Sequence, residues 1–213
     1  MEQPRFTEKP EIDSEARVIR AIIANEVLHA KFLNTLSLLE NTGARKISAF
    51  EHSENVNLMV LKHAAEEHRH AFYLKKQLTK LGSEKCPTYE ACFLLAPIVS
   101  RQYLQKLDIE TSRYLRNKLG LSQNTLRQAA YLLVTYAIEL RADELYPRYQ
   151  EALTAASSKI NVKSIILEEQ GHLEEMISQL KMFSPSWAEH AACIVRMEQL
   201  LYKEWMNHLG KEV

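Results

Sequence analysis

The chain has 213 residues, 27 basic and 27 acidic side chains, 46% hydrophobic and 8% aromatic residues, the composition of a globular protein with a sizeable core in one domain. Five Gly and six Pro are too few for a turn-rich sandwich, barrel or collagen-like chain, while 24 Glu against 3 Asp favour long helices, since Glu is a good helix former and Asp prefers caps and turns. Zero net charge supplies no basic field for nucleic acid or anionic lipid, so neither is expected as a partner.

Residues 1–12 are polar, contain two prolines and read as a flexible leader. Apolar positions then recur at helical spacing through Val18, Ile22, Val27, Leu33 and Leu39 to the turn-like Asn41-Thr42-Gly43, predicting a first helix over 13–41. A polar connection, 48–57, leads to a second periodic stretch from Leu58 to Leu81, closed by Gly82. The segment 87–119 reads as a long crossover connection with its own helix, interrupted by Pro97 and ended by Gly120. A third long helix is expected over 122–154 with a kink near Pro147, a fourth over 158–182, and a last one over 186–209. Alternating apolar runs are lacking, so the expected fold is all-α: an antiparallel four-helix bundle with a long crossover and additional helices, one helical domain over 13–213 with its core at 13–182. Three cysteines, Cys86, Cys92 and Cys193, without a CxxC spacing indicate neither a disulfide framework nor a thiolate zinc site. No stretch approaches 18 uncharged apolar residues and the leader lacks an apolar segment, so no membrane span and a cytoplasmic location are expected.

The chemistry concentrates in a motif that occurs twice. Glu66-Glu67-His68-Arg69-His70 and Glu168-Glu169-Gln170-Gly171-His172 both read EExxH, 102 residues apart. A carboxylate and an imidazole three residues apart on a helix share a face and can reach one metal ion. Chance alone supplies about one ExxH in this composition, which leaves Glu26-x-x-His29 open to accident, but only about 0.1 of the fuller EExxH. Matching heights in antiparallel pairs then select a carboxylate from each remaining helix. Glu26 comes level with Glu67 if the first helix ends near 41, whereas Glu40 sits at that helix's frayed end; Glu139, flanked by apolar residues, comes level with Glu169. A buried carboxylate without a partner is costly, and a metal removes that cost.

These residues resemble the ferritin-like di-iron carboxylate superfamily, whose pattern is Glu, ExxH, Glu, ExxH on four consecutive bundle helices. The resemblance implies a ferritin-like fold, metal ligands Glu26, Glu67, His70, Glu139, Glu169 and His172, with Glu67 and Glu169 bridging, and two iron ions, with manganese or zinc as alternatives. It also implies that Glu66 and Glu168 accept hydrogen bonds from the histidine of the opposite motif. The 41 residues between Glu26 and Glu67 are more than is usual in that family. Leu74 stands where radical-forming ribonucleotide reductase subunits carry Tyr, and no CxxC pair supplies a rubredoxin-type iron. His63, one turn before Glu67, is placed either beside the ligands or as a capped surface histidine; Tyr136 and Asp143, flanking Glu139, either hydrogen-bond the ligands or serve as a core tyrosine and a solvated acid. The apolar stripe Trp187, Ile194, Leu201 and Trp205 packs on the bundle or on a second subunit.

The function expected from this reading is an oxidoreductase with a dinuclear non-haem centre that uses O₂ and an external electron donor on a small organic molecule, as a monomer or homodimer. Two alternatives stand beside it: iron oxidation and handling without an organic substrate, and a non-catalytic bundle with a zinc or empty site.

Overall fold

The computed structural model describes residues 9–51, 54–82 and 85–213, and the described residues form seven α-helices and no strand. Residues 1–8, most of the expected leader, lie outside the described residues. The first expected helix is in fact two, α1 (Lys9–Ala24) and α2 (Glu26–Phe50). Between them Asn25 is extended, and its side-chain oxygen accepts from the backbone N–H of Val27 at 3.0 Å and Leu28 at 3.2 Å. A side chain that satisfies two of the four free N–H groups at a helix start favours restarting the helix there. At its other end α2 passes through Asn41-Thr42-Gly43 for another two turns, because Ala44 and Ile47 continue the buried stripe and Thr42 Oγ1 donates back to the Leu38 carbonyl.

Asn57 caps α3 (Leu58–Gln77) in the same way as Asn25 caps α2. A 3-10 turn at Leu78–Leu81 and Gly82, at φ +93°, close it. After a short 3-10 turn at Ala91–Phe93, α4 (Pro97–Leu119) starts at Pro97, which therefore opens the crossover helix instead of interrupting it. Gly120, at φ +63°, ends α4 and lets the chain turn directly into α5 (Gln123–Ala155), which continues through Pro147. Helices α6 (Lys163–Phe183) and α7 (Trp187–Leu209) complete the fold.

Helices α2 and α3 pack as an antiparallel pair, with Ser37 bonded to the Ala71 carbonyl at one level and Glu40 beside Glu67 at the next. The pair α5 and α6 is antiparallel too, joining Gln150 to Val162 near the connection and Glu139 to His172 farther in. Helix α4 lies against α2, α5 and α7, and α1 against α2, α5 and α7. Buried apolar side chains from all seven helices form one continuous core. No described helix is long and apolar enough to cross a membrane.

The stripe on α7 is used within the chain. Ile194, Leu201 and Trp205 are buried, and the Trp205 ring stacks between Phe32 and Tyr103, each with its centroid 6.2 Å away, while its indole N–H donates to Ser100 Oγ at 2.8 Å. One charged pair shares this core. Glu198, fully buried, receives both Arg141 Nε and Nη2 at 2.9 Å and the Tyr103 hydroxyl, and the guanidinium lies 3.8 Å over the Tyr202 ring. The bidentate geometry and the extra donor compensate for removing two charges from water. Glu198→Ala should therefore cost about 3 to 5 kcal/mol in a denaturant titration, because it leaves the buried guanidinium with only the partly exposed Glu144, 3.1 Å from Nη1, as its carboxylate partner among the described residues. Arg141→Met combined with Glu198→Leu should cost less than either single change. A loss of under about 1 kcal/mol from Glu198→Ala would mean that water reaches Arg141.

Candidate metal centre

Helical spacing aligns His63, Glu67 and His70 along one face of α3, and Glu169 and His172 along one face of α6. Glu139 on α5 and Glu40 on α2 face them, and together these side chains form two groups that share one residue. His63, Glu67, Glu139 and His172 make one; Glu40, Glu67, His70 and Glu169 make the other. Within each group the candidate ligand atoms lie within 4.8 Å of one another.

Glu67 belongs to both groups, and Glu169, a member of the second, also reaches His172 of the first. Glu67 places Oε1 3.7 Å from His63 Nε2 and 3.8 Å from His172 Nδ1, and Oε2 3.9 Å from His70 Nδ1. Glu169 places Oε1 3.1 Å from His70 Nδ1 and Oε2 3.3 Å from His172 Nδ1. Each thus offers one oxygen to each group, the arrangement a bridge between two adjacent ions requires. His172 Nδ1 is also 3.5 Å from Glu139 Oε2, and His63 Nε2 is 2.8 Å from Glu139 Oε1.

The outward nitrogens of the two motif histidines are held crosswise. His172 Nε2 bonds to Glu66 Oε2 at 2.8 Å, and His70 Nε2 bonds to Glu168 Oε2 at 2.9 Å. Each acid that precedes a ligand glutamate in one motif therefore orients the imidazole of the other, leaving Nδ1 aimed inward. Arg69 closes this layer, reaching Glu168 at 2.7 Å and Glu66 at 3.5 Å. His70 Nδ1 is buried and makes no hydrogen bond, although three carboxylates stand within 4.0 Å. A buried ring nitrogen that faces a carboxylate cluster fits a metal ligand once an ion has displaced its proton.

Among the residues expected from sequence, Glu67, His70, Glu139, Glu169 and His172 are brought together and Glu26 is not. Because the chain breaks at Asn25, Glu26 opens α2, fourteen residues or about 21 Å along the axis from Glu40. Its side chain is 60% exposed and pairs with Lys85. Glu40, with 14% of its side chain exposed, takes the place assigned to Glu26. Since α2 ends at Phe50 and not at 41, Glu40 is not frayed; it lies ten residues before the helix end and Glu67 nine after the start of α3. Tyr136 does not join the cluster either: one turn back from Glu139, its ring meets Trp187 edge-on at 5.8 Å in the core. Asp143 is exposed. His63 lies inside the cluster itself, so the group has three imidazoles. Tyr146, which the sequence reading passed over, donates its hydroxyl to Glu40; its place seven residues beyond Glu139 on the same face of α5 was the available signal.

Burial and mutual repulsion set the protonation of this cluster. Burial, then the charges of Glu40, Glu169 and Glu139, push the Glu67 carboxyl well above the usual range. Burial opposes charge on Glu139, yet hydrogen bonds from Glu169, His172 and His63 hold it well below, and the same contact pushes Glu169 up. Burial likewise disfavours the charged imidazoles, but the carboxylates around them win: His70 is raised to about 9 by Glu169, Glu40 and Glu168, and His172 to about 11 by Glu139 and Glu169.

A cavity of about 430 Å³ between α2, α4 and α5 is lined in part by Glu67 and Glu139, and otherwise mainly by apolar side chains. Comparison of the chain with protein-family models, with curated proteins and with solved structures gives no match.

Both raised histidines are protonated at pH 7 in the chain alone, and a metal needs the neutral imidazole. Titration with a divalent ion should release at least two protons, and affinity should rise by roughly tenfold per pH unit for each, from pH 7 toward 9. Calorimetry in buffers of different ionisation enthalpy measures the release. An affinity independent of pH over that range would remove His70 and His172 from the ligand set.

Proposed function

We propose that the chain is a ferritin-like dinuclear non-haem metal protein that holds two iron ions and uses O₂ to oxidise a small organic substrate. The observation that carries this reading is the pair Glu67 and Glu169, each with one oxygen toward either of two histidine and carboxylate groups. Four carboxylates, Glu40, Glu67, Glu139 and Glu169, neutralise two divalent ions, and oxygen with imidazole nitrogen suits iron or manganese. Taking Glu40 as the carboxylate of α2 also places it 27 residues before Glu67, which removes the excess spacing that Glu26 created against the family pattern.

When bound, the two ions supply the electrons for reduction of O₂, and an external donor restores them. The chain's own groups do the rest. Glu66 and Glu168 hold the imidazole rings in one tautomer and orientation. The cavity wall contributes Ile47, Phe50, Leu104, Leu126, Val134 and Ile138 to exclude water beside Glu67 and Glu139. A largely apolar cavity, open at one end and reaching the cluster at the other, supports an organic substrate over iron handling alone.

Anaerobic loading with Fe(II), followed by metal analysis and near-ultraviolet absorption on admission of air, tests the reading. About two irons per chain should bind and then stop. Glu67→Ala should abolish both, Glu40→Ala should lose one, and Glu26→Ala should keep both. Loading far beyond two per chain favours iron handling; loss of iron in Glu26→Ala would overturn the ligand assignment.

A further inference from the structure

The cavity has direction and charge as well as volume. It follows α5 from Glu139 back to Arg127, twelve residues or about 18 Å. Its inner part is walled by Leu104, Ile138, Val134 and Ile47, and the Phe50 ring stacks on Tyr131 at 4.3 Å. At the far end are Arg127 on the first turns of α5 and Arg116 on the last turns of α4, which the short turn at Gly120 brings to the same level. Both are exposed, and among the described residues neither has a carboxylate within ion-pair reach; Arg127 donates only to the Ala49 carbonyl at 3.1 Å. Between the arginines and the glutamates of the cluster, the charged side chains on the wall are Lys46 and Asp108, which pair at 2.6 Å. A molecule with no net charge overall thus presents two uncompensated guanidinium groups at the outer end of an apolar slot.

The wall of the slot carries a complementary signal. Tyr131 is only 9% exposed, lines the cavity, and its hydroxyl has no hydrogen-bond partner among the described residues. A buried hydroxyl without a partner is costly unless a ligand supplies one.

We propose that this cavity binds an amphiphilic anion, its carboxylate held by Arg116 and Arg127 and its apolar chain lying along α5 past Tyr131, with the far end beside Glu67 and Glu139. This deepens the functional reading above, and as the substrate class it rests on that reading; binding itself does not require metal. Guanidinium groups select a carboxylate by paired N–H donors. The length of the slot selects against short acids, and its volume lies in the range of small-molecule sites.

Binding of dodecanoate, octanoate, dodecanol and dodecylamine to the full chain, stripped of metal by a chelator, is measured by calorimetry. Dodecanoate should bind most tightly, about tenfold or more better than the alcohol, as expected for hydrogen bonds to a charged group. Arg116→Ala with Arg127→Ala should bring dodecanoate to the level of the alcohol, and Ala130→Trp should remove binding of both by filling the slot. The double arginine variant should keep the thermal midpoint of the parent chain, and all variants its iron stoichiometry. Equal affinity for acid and alcohol, preference for the amine, or undiminished binding to Ala130→Trp would overturn the proposal. Because ligand binding is read without metal and iron loading without ligand, failure of the cavity assignment and failure of the metal centre are distinguishable.

Discussion

The constraint on which the rest of the structure depends is the gathering of four carboxylates between four helices. Coulomb repulsion and burial both oppose it, and in the chain alone the opposition is relieved by protons: Glu67 is pushed toward its neutral form, while His70 and His172 are driven to carry charge. Every helix that contributes a side chain to the cluster must also position it, so the bundle cannot slide by one turn without separating Glu67 from Glu40 or Glu139 from His172. The crosswise contacts of Glu66 with His172 and Glu168 with His70 fix the mutual height of α3 and α6 from the outside.

A second buried charge pair shows what the same physics looks like when it is satisfied internally. Arg141 and Glu198 bring opposite charges, two parallel hydrogen bonds and a phenol donor into the core, so nothing further is needed. The seven-residue cluster has an excess of acids over cations and a buried His70 nitrogen without a hydrogen bond. Both networks draw on α5, with Arg141 only two residues from Glu139, so one helix stiffens the core on one side and carries the candidate centre on the other.

The break at Asn25 connects the N-terminal architecture to the site. By ending α1 it lets that helix lie across α2, α5 and α7, where Glu15 pairs with Arg148 at 2.9 Å. It also makes α2 a separate rod whose last three turns, beyond Glu40, form one wall of the cavity through Gly43, Lys46, Ile47 and Phe50. Helix α4 forms the opposite wall, so the crossover connection is part of the slot as well as a link between the two pairs.

Helical class, the positions of α3, α5, α6 and α7 to within about five residues, and five of the clustered side chains were legible in the sequence, because apolar periodicity and an i, i+3 carboxylate and imidazole pair are local properties of a helix. The sequence also carried the crosswise relation of Glu66 and Glu168 through the resemblance. Only the tertiary structure decided between Glu26 and Glu40. That choice turns on where α2 begins and ends, and the competition between an Asn25 cap and helix continuation, or between Asn41-Thr42-Gly43 as a stop and as passing residues, is settled by whether Ala44 and Ile47 find a core to bury in. His63 and Tyr136 sit one turn from a ligand in sequence, yet one enters the cluster and the other packs on Trp187. The difference is the direction each side chain takes between neighbouring helices, a quantity that no spacing along a single helix contains.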